Sequence, residues 1–114
     1  MMSGMPTGLA LKALVGTTSP VHSGTEWTLP TQQADGSWLP GAWVSARKGQ
    51  KVQYRKNGIH VAGCDQIPYW TGHLRGKTMQ TYVCEYRGAV SIGAHGWAAR
   101  EVRLLRPWDG REEV

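Results

Sequence analysis

The chain is 114 residues long, with a formal net charge of +5, six Trp, four Tyr and no Phe. That length fits one domain with a modest core, and no apolar run approaches the ~20 residues a membrane-spanning helix needs. The two cysteines, Cys64 and Cys84, are too few for a disulfide framework, and Met1–Val15 lacks the charged start and clean apolar run of a signal peptide, so a cytoplasmic protein with free thiols is expected.

In chain order, residues 1–7 read as a flexible leader, 8–108 as a single globular domain and 109–114 as a polar tail. Ala10–Val15 is a short apolar run suited to a first strand. From Gly16 to Gly49 the chain is rich in Gly, Pro, Ser and Thr and lacks helical periodicity. Irregular structure pinned by Trp27, Trp38 and Trp43 is expected there, with a short strand around Glu26–Leu29 and a turn at Asp35-Gly36. Most of the tryptophans are expected in the core. Lys51–Lys56 and Ile59–Ala62 flank Asn57-Gly58, the strongest short hairpin signal, so two antiparallel strands are expected around it. Cys64–Trp70 suits one helical turn, with Asp65 near its start and Pro68 in its first turn. Gln80–Arg87 alternates: Tyr82, Cys84 and Tyr86 share one face, Val83, Glu85 and Arg87 the other, and Gly88 is expected to end the strand. Trp97–Leu105 fits a strand better than a helix, because Gly93 and Gly96 precede it and Pro107 closes it. The fold class expected is α+β, dominated by antiparallel β with one short helix near 64–70.

Charge is uneven along this chain. Arg47, Lys48, Lys51, Arg55 and Lys56 crowd into a stretch without an acidic residue, and Arg100, Arg103 and Arg106 form a second group. Such clusters serve as contacts to nucleic acid or an acidic protein, or simply as a solvated face.

Several motifs recur in a characteristic order: Trp27-Thr28-Leu29-Pro30; Gly58-Ile59-His60-Val61 with Cys64; Ile67-Pro68-Tyr69-Trp70; Glu85 with Arg87-Gly88; and Arg103-Leu104-Leu105-Arg106. In this order the chain resembles an uncharacterised family of small actinobacterial and actinobacteriophage proteins. The resemblance covers most of the chain after residue 20. It implies a small α+β domain of phage or actinobacterial source and carries no activity with it.

The residues themselves offer four chemistries. His60, on the segment after the expected turn, suits a general base, or a ring that ties the turn to a neighbouring group. His60, Cys64, His73, Cys84 and His95 are ligand types without the paired spacing of a zinc site, so no metal is expected. Cys84, between two tyrosines on an apolar face, reads as a small core residue, and Cys64 beside Asp65 reads as a poor thiolate. His60, Tyr69 and Glu85 are the residue types of an ADP-ribosyltransferase-like pocket, which would take NAD; the simpler expectation for Glu85 is a strand carboxylate paired with a basic neighbour such as Arg100. The reading that follows is a phage-type accessory protein without catalysis or cofactor. It would bind a host protein or nucleic acid, not a membrane, through Arg47, Lys48, Lys51, Arg55, Lys56 and Trp70. The alternative is a small enzyme built on His60, Tyr69 and Glu85.

Overall fold

A computed structural model describes residues 7–16, 26–72 and 79–114. The described residues form seven strands and one short helix: β1 (Thr7–Leu14), β2 (Thr31–Gln32), β3 (Trp38–Leu39), β4 (Val44–Ser45), β5 (Ile59–Val61), α1 (Ile67–Gly72), β6 (Gln80–Gly93) and β7 (Gly96–Pro107). All the pairings are antiparallel. The main sheet runs β1-β6-β7-β4, with β5 also on β7, while β2 and β3 make a separate small hairpin. No helix among the described residues is long and apolar enough to cross a membrane.

One contact turns this sheet into a partly closed barrel. Leu11 of β1 exchanges both backbone hydrogen bonds with Ala62, just after β5, at 2.7 and 3.0 Å. The period-2 alternation of β1 then serves two cores. Ala10 and Leu14 pack with Trp27, Ile59, Val61, Tyr82, Cys84, Ala99, Val102 and Leu104. Leu11 and Ala13 pack on the other face with Ala62, Ile67 and Val83, under α1. Strand β6 does the same: Cys84 joins the first core, as expected of a small apolar residue, and Val83 the second. Asp109–Val114 folds back on the second core. Val114 packs there and its carbonyl accepts the Cys64 N–H, while the Asp109 carboxylate accepts the N–H groups of Arg111 and Glu112.

Antiparallel β with one short helix is the architecture the alternation predicts, and the Asp35-Gly36 turn is in place, closed by the Asp35 carboxylate on the Ser37 N–H and hydroxyl. Four expectations need correction. After β1 the next strand lies at Thr31–Gln32, not around Glu26–Leu29, where Glu26 makes only a single bridge and Trp27 packs into the core. Strand β6 does not end at Gly88; a bulge between Arg87 and Val90 absorbs the irregularity and pairing with β7 continues to Gly93. The tryptophans are buried less than expected: only Trp27 is fully buried, Trp97 packs partly exposed against the first core and Trp70 and Trp108 against the second, and Trp38 and Trp43 belong to neither cluster.

The fourth correction concerns Asn57-Gly58, which is not a hairpin turn. Lys51–Lys56 forms no strand, and β5 pairs instead with Trp97–Ala99 of β7. The reversal lies earlier, at Tyr54-Arg55-Lys56, closed by a single Gln53–Asn57 bridge. Asn57 is diverted from turn duty because its side-chain amide reaches the carbonyls of Arg47, Gln50 and Lys51 at 3.2–3.4 Å. Gly58 has φ +145°, and a Cβ there would sit 2.7 Å from the Ala98 Cβ. The glycine is therefore required by close packing of the chain on β7. Gly58→Val is expected to lower stability by about 2–4 kcal/mol, from backbone strain and overpacking together, measured by chemical denaturation; an unchanged midpoint would contradict this packing.

Candidate functional site

The basic residues come together. Arg47, Lys48, Lys51, Arg55 and Lys56 are all exposed. They lie on two neighbouring loops, Arg47–Lys51 and the Tyr54–Lys56 turn. These loops are tied by their backbone rather than by charge pairs. Asn57 binds three carbonyls of the first loop, and the Arg100 guanidinium donates to the Arg47 and Gln50 carbonyls at 3.0 and 2.6 Å. With loop carbonyls turned inward, the cationic side chains are left outside. Glu101 lies within electrostatic reach of Lys48; its carboxylate is held below its usual range mainly by hydrogen bonds from Arg87 and Ser45, with a smaller contribution from Lys48.

His60 anchors this turn. Its ring is buried, and Nε2 accepts the backbone N–H of Arg55 at 2.8 Å. Accepting there requires a neutral ring with its proton on Nδ1. Burial pushes the ring's pKa down to about 4; the nearby charges of Lys12 and Arg55 act in the same direction and a hydrogen bond to the Gly58 backbone opposes them. The bond holds Arg55 at φ +67°, the left-handed region, where a non-glycine residue costs about 1–2 kcal/mol. On its carbonyl side, His60 accepts the ammonium of Lys12 at 2.7 Å. Lys12 lies inside the barrel on the Ala10–Leu14 face, and burial lowers its pKa to about 8.

Around the His60 ring lies an aromatic cluster. Tyr54 and Trp70 pack on it at 5.2 and 6.2 Å between ring centroids. Tyr69 and His95 stack in parallel, 3.7 Å apart at 7°. Trp70 meets the Tyr69 ring edge-on at 5.3 Å and donates its indole N–H to the His95 carbonyl at 2.7 Å. The Tyr54 hydroxyl accepts the His95 backbone N–H at 3.3 Å, and Ser91 accepts the Tyr54 N–H at 2.9 Å. Gly93 makes room for this, because a Cβ on it would collide with the Tyr54 ring. Arg55 joins the cations to the rings: its guanidinium donates to the Tyr69 hydroxyl at 3.1 Å and lies 6.0 Å from the Tyr54 ring centre.

The residue set expected for an enzyme does not converge. His60 and Tyr69 share the cluster through Trp70, but Glu85 pairs with Arg103 at 2.8 Å on another part of β6. Its partner is Arg103 rather than Arg100, which is engaged with the basic loop. Trp70 is half-buried against the second core and positions His95. The ring pair of Tyr69 and His95 had no sequence signal, since 26 positions separate them and only the β6–β7 turn brings His95 back over α1. Among the described residues no group of three His, Cys, Asp or Glu side chains could hold a metal; His73 lies outside them.

No family model matches the chain, and no curated protein or solved structure does either.

Two outcomes follow from the site's chemistry. His60 binds a proton in the unfolded chain near pH 6.5 but in the folded protein only near 4. The unfolded state therefore holds more protons in that window, and stability falls as pH drops from 6.5 to 4. His60→Leu is expected to cost about 1–3 kcal/mol at neutral pH, through the orphaned Arg55 N–H, and to flatten the melting-temperature profile between pH 6.5 and 4. Profiles that fall in parallel for both proteins would exclude His60 as the titrating group. The thiols behave differently from one another: both are free, Cys84 is buried, and burial pushes its pKa up to about 12. Thiol titration is expected to count two groups after denaturation without reductant, with Cys84 silent in the native protein.

Proposed function

We propose that the chain is a small accessory protein of phage type that acts in the bacterial cytoplasm by binding an acidic host macromolecule, without catalysis. One observation carries the reading: five cationic side chains stand exposed on two loops that Asn57 and Arg100 hold together through backbone carbonyls. A cluster built this way keeps its charges available, and like charges gathered on one face attract an acidic partner over long range. The alternative of an NAD-binding pocket finds no support at Glu85, whose carboxylate is held by Arg103.

The test is salt-dependent binding. At ~50 mM salt, where phosphate contacts are strongest, the protein is expected to bind nucleic acid or an acidic polypeptide, with affinity falling steeply as salt rises. Changing Lys51 and Arg55 together to Gln should weaken binding across sequences and lower the salt slope by roughly one to two. A wild-type protein that binds neither probe at low salt would leave the basic loops as a solvated face.

A further inference from the structure

The basic loops continue directly into a pair of stacked rings, and this continuity narrows the ligand. We propose that the strip from the Arg47–Lys51 loop, over Arg55, to the Tyr69–His95 stack binds single-stranded nucleic acid. Phosphates would lie on the cations and a base against the ring pair. The proposal rests on the binding role of the basic face argued above.

Three features support it. First, cations and rings are contiguous, because Arg55 bonds Tyr69 while its own backbone N–H is fixed by His60. Second, the ring pair is held rather than loose: Trp70 braces the Tyr69 ring and bonds the His95 carbonyl, and Tyr54 bonds the His95 N–H. Rings fixed before binding lose little freedom on contact. Third, both rings are partly exposed at the protein's edge, Tyr69 on a short helix and His95 at the tip of the β6–β7 turn. A duplex conceals its base faces inside the stack and offers a ring pair nothing to lie against. A single strand can splay a base onto it, in a way that tolerates any sequence. An acidic peptide would satisfy the cations but make no use of a parallel ring pair.

The full-length protein would be titrated with a labelled oligothymidine of about 12 nucleotides, a length within the usual site size of such proteins, and with a duplex of the same length. Tighter binding of the single strand is expected. His95→Ala and Tyr69→Leu should each weaken it about tenfold or more, the scale of one stacked base, with the salt slope nearly unchanged. Tyr69→Phe, which keeps the ring and loses only the hydroxyl, should bind within a few-fold of wild type. Lys51→Gln with Arg55→Gln should instead flatten the salt slope. Circular dichroism checks each variant, and His95→Ala alone decides the matter if Tyr69→Leu fails to fold. Equal or tighter duplex binding, or ring variants that bind like wild type, would overturn the proposal. If neither oligonucleotide binds but poly-glutamate does, and the Lys51/Arg55 variant weakens that binding, this inference fails while the basic-face reading stands. If no probe binds, both fail.

Discussion

The whole arrangement depends on how β1 meets β5. Leu11 and Ala62 close the barrel with one pair of backbone bonds, and immediately beside it Lys12 reaches across from the interior to the His60 carbonyl. An ammonium among aliphatic side chains is costly, and among the described residues no carboxylate pairs with it. Its lowered pKa, about 8, expresses that cost, yet it leaves the group mostly protonated at neutral pH. A methionine would fill the same space without a donor to offer, and a bare carbonyl at the seam would then lose its partner. Through this bond the barrel interior fixes the backbone of His60, whose ring in turn fixes the Arg55 turn outside. Core and basic face thus share one residue.

The outer face of β6 and β7 follows a different logic. Arg87 pairs with Glu101, Arg103 with Glu85 and Arg106 with Glu112. Trp43 lies beneath two of these cations, 3.8 Å from the Arg87 guanidinium carbon and 4.8 Å from that of Arg103. Ion pairs this exposed contribute little individually, but each arginine also covers apolar surface with its stem. The ladder shields two long strands that a small domain has too few residues to bury. It also explains why the second arginine group seen in the sequence offers less free charge than the first.

What the sequence made legible is what repeats locally. The alternation along Gln80–Arg87 announced a strand, and the glycines and Pro107 around Trp97–Leu105 marked another. Pro68 placed the helix within a few residues. The ring of His60 does tie down a turn, one of the two roles its residue type suggested. The failures arose where a distant partner outcompeted a local preference. Asn57-Gly58 has the chemistry of a tight turn, but three carbonyls of the preceding loop claim the Asn57 amide and β7 claims the strand that follows. Arg55, by contrast, has no intrinsic preference for a left-handed backbone; the buried imidazole and the Gln53–Asn57 bridge hold that conformation. The Tyr69–His95 stack depends on the length and bulge of β6, and neither is encoded near the residues it brings together.

The strained turn and the clustered cations coincide at Arg55. A glycine or asparagine at position 55 would relieve the left-handed backbone, and an acidic residue in the Arg47–Lys56 stretch would relieve the repulsion among five cations. The chain has neither. It instead places a large cation where the backbone is least favourable and supports it from below with a neutral histidine, a residue that would repel Arg55 if it carried charge. Burial keeps that histidine neutral across the physiological range. The strain is offset inside the turn by the His60–Arg55 hydrogen bond and the Gln53–Asn57 bridge, and the Arg55 guanidinium meets the rings of Tyr54 and Tyr69.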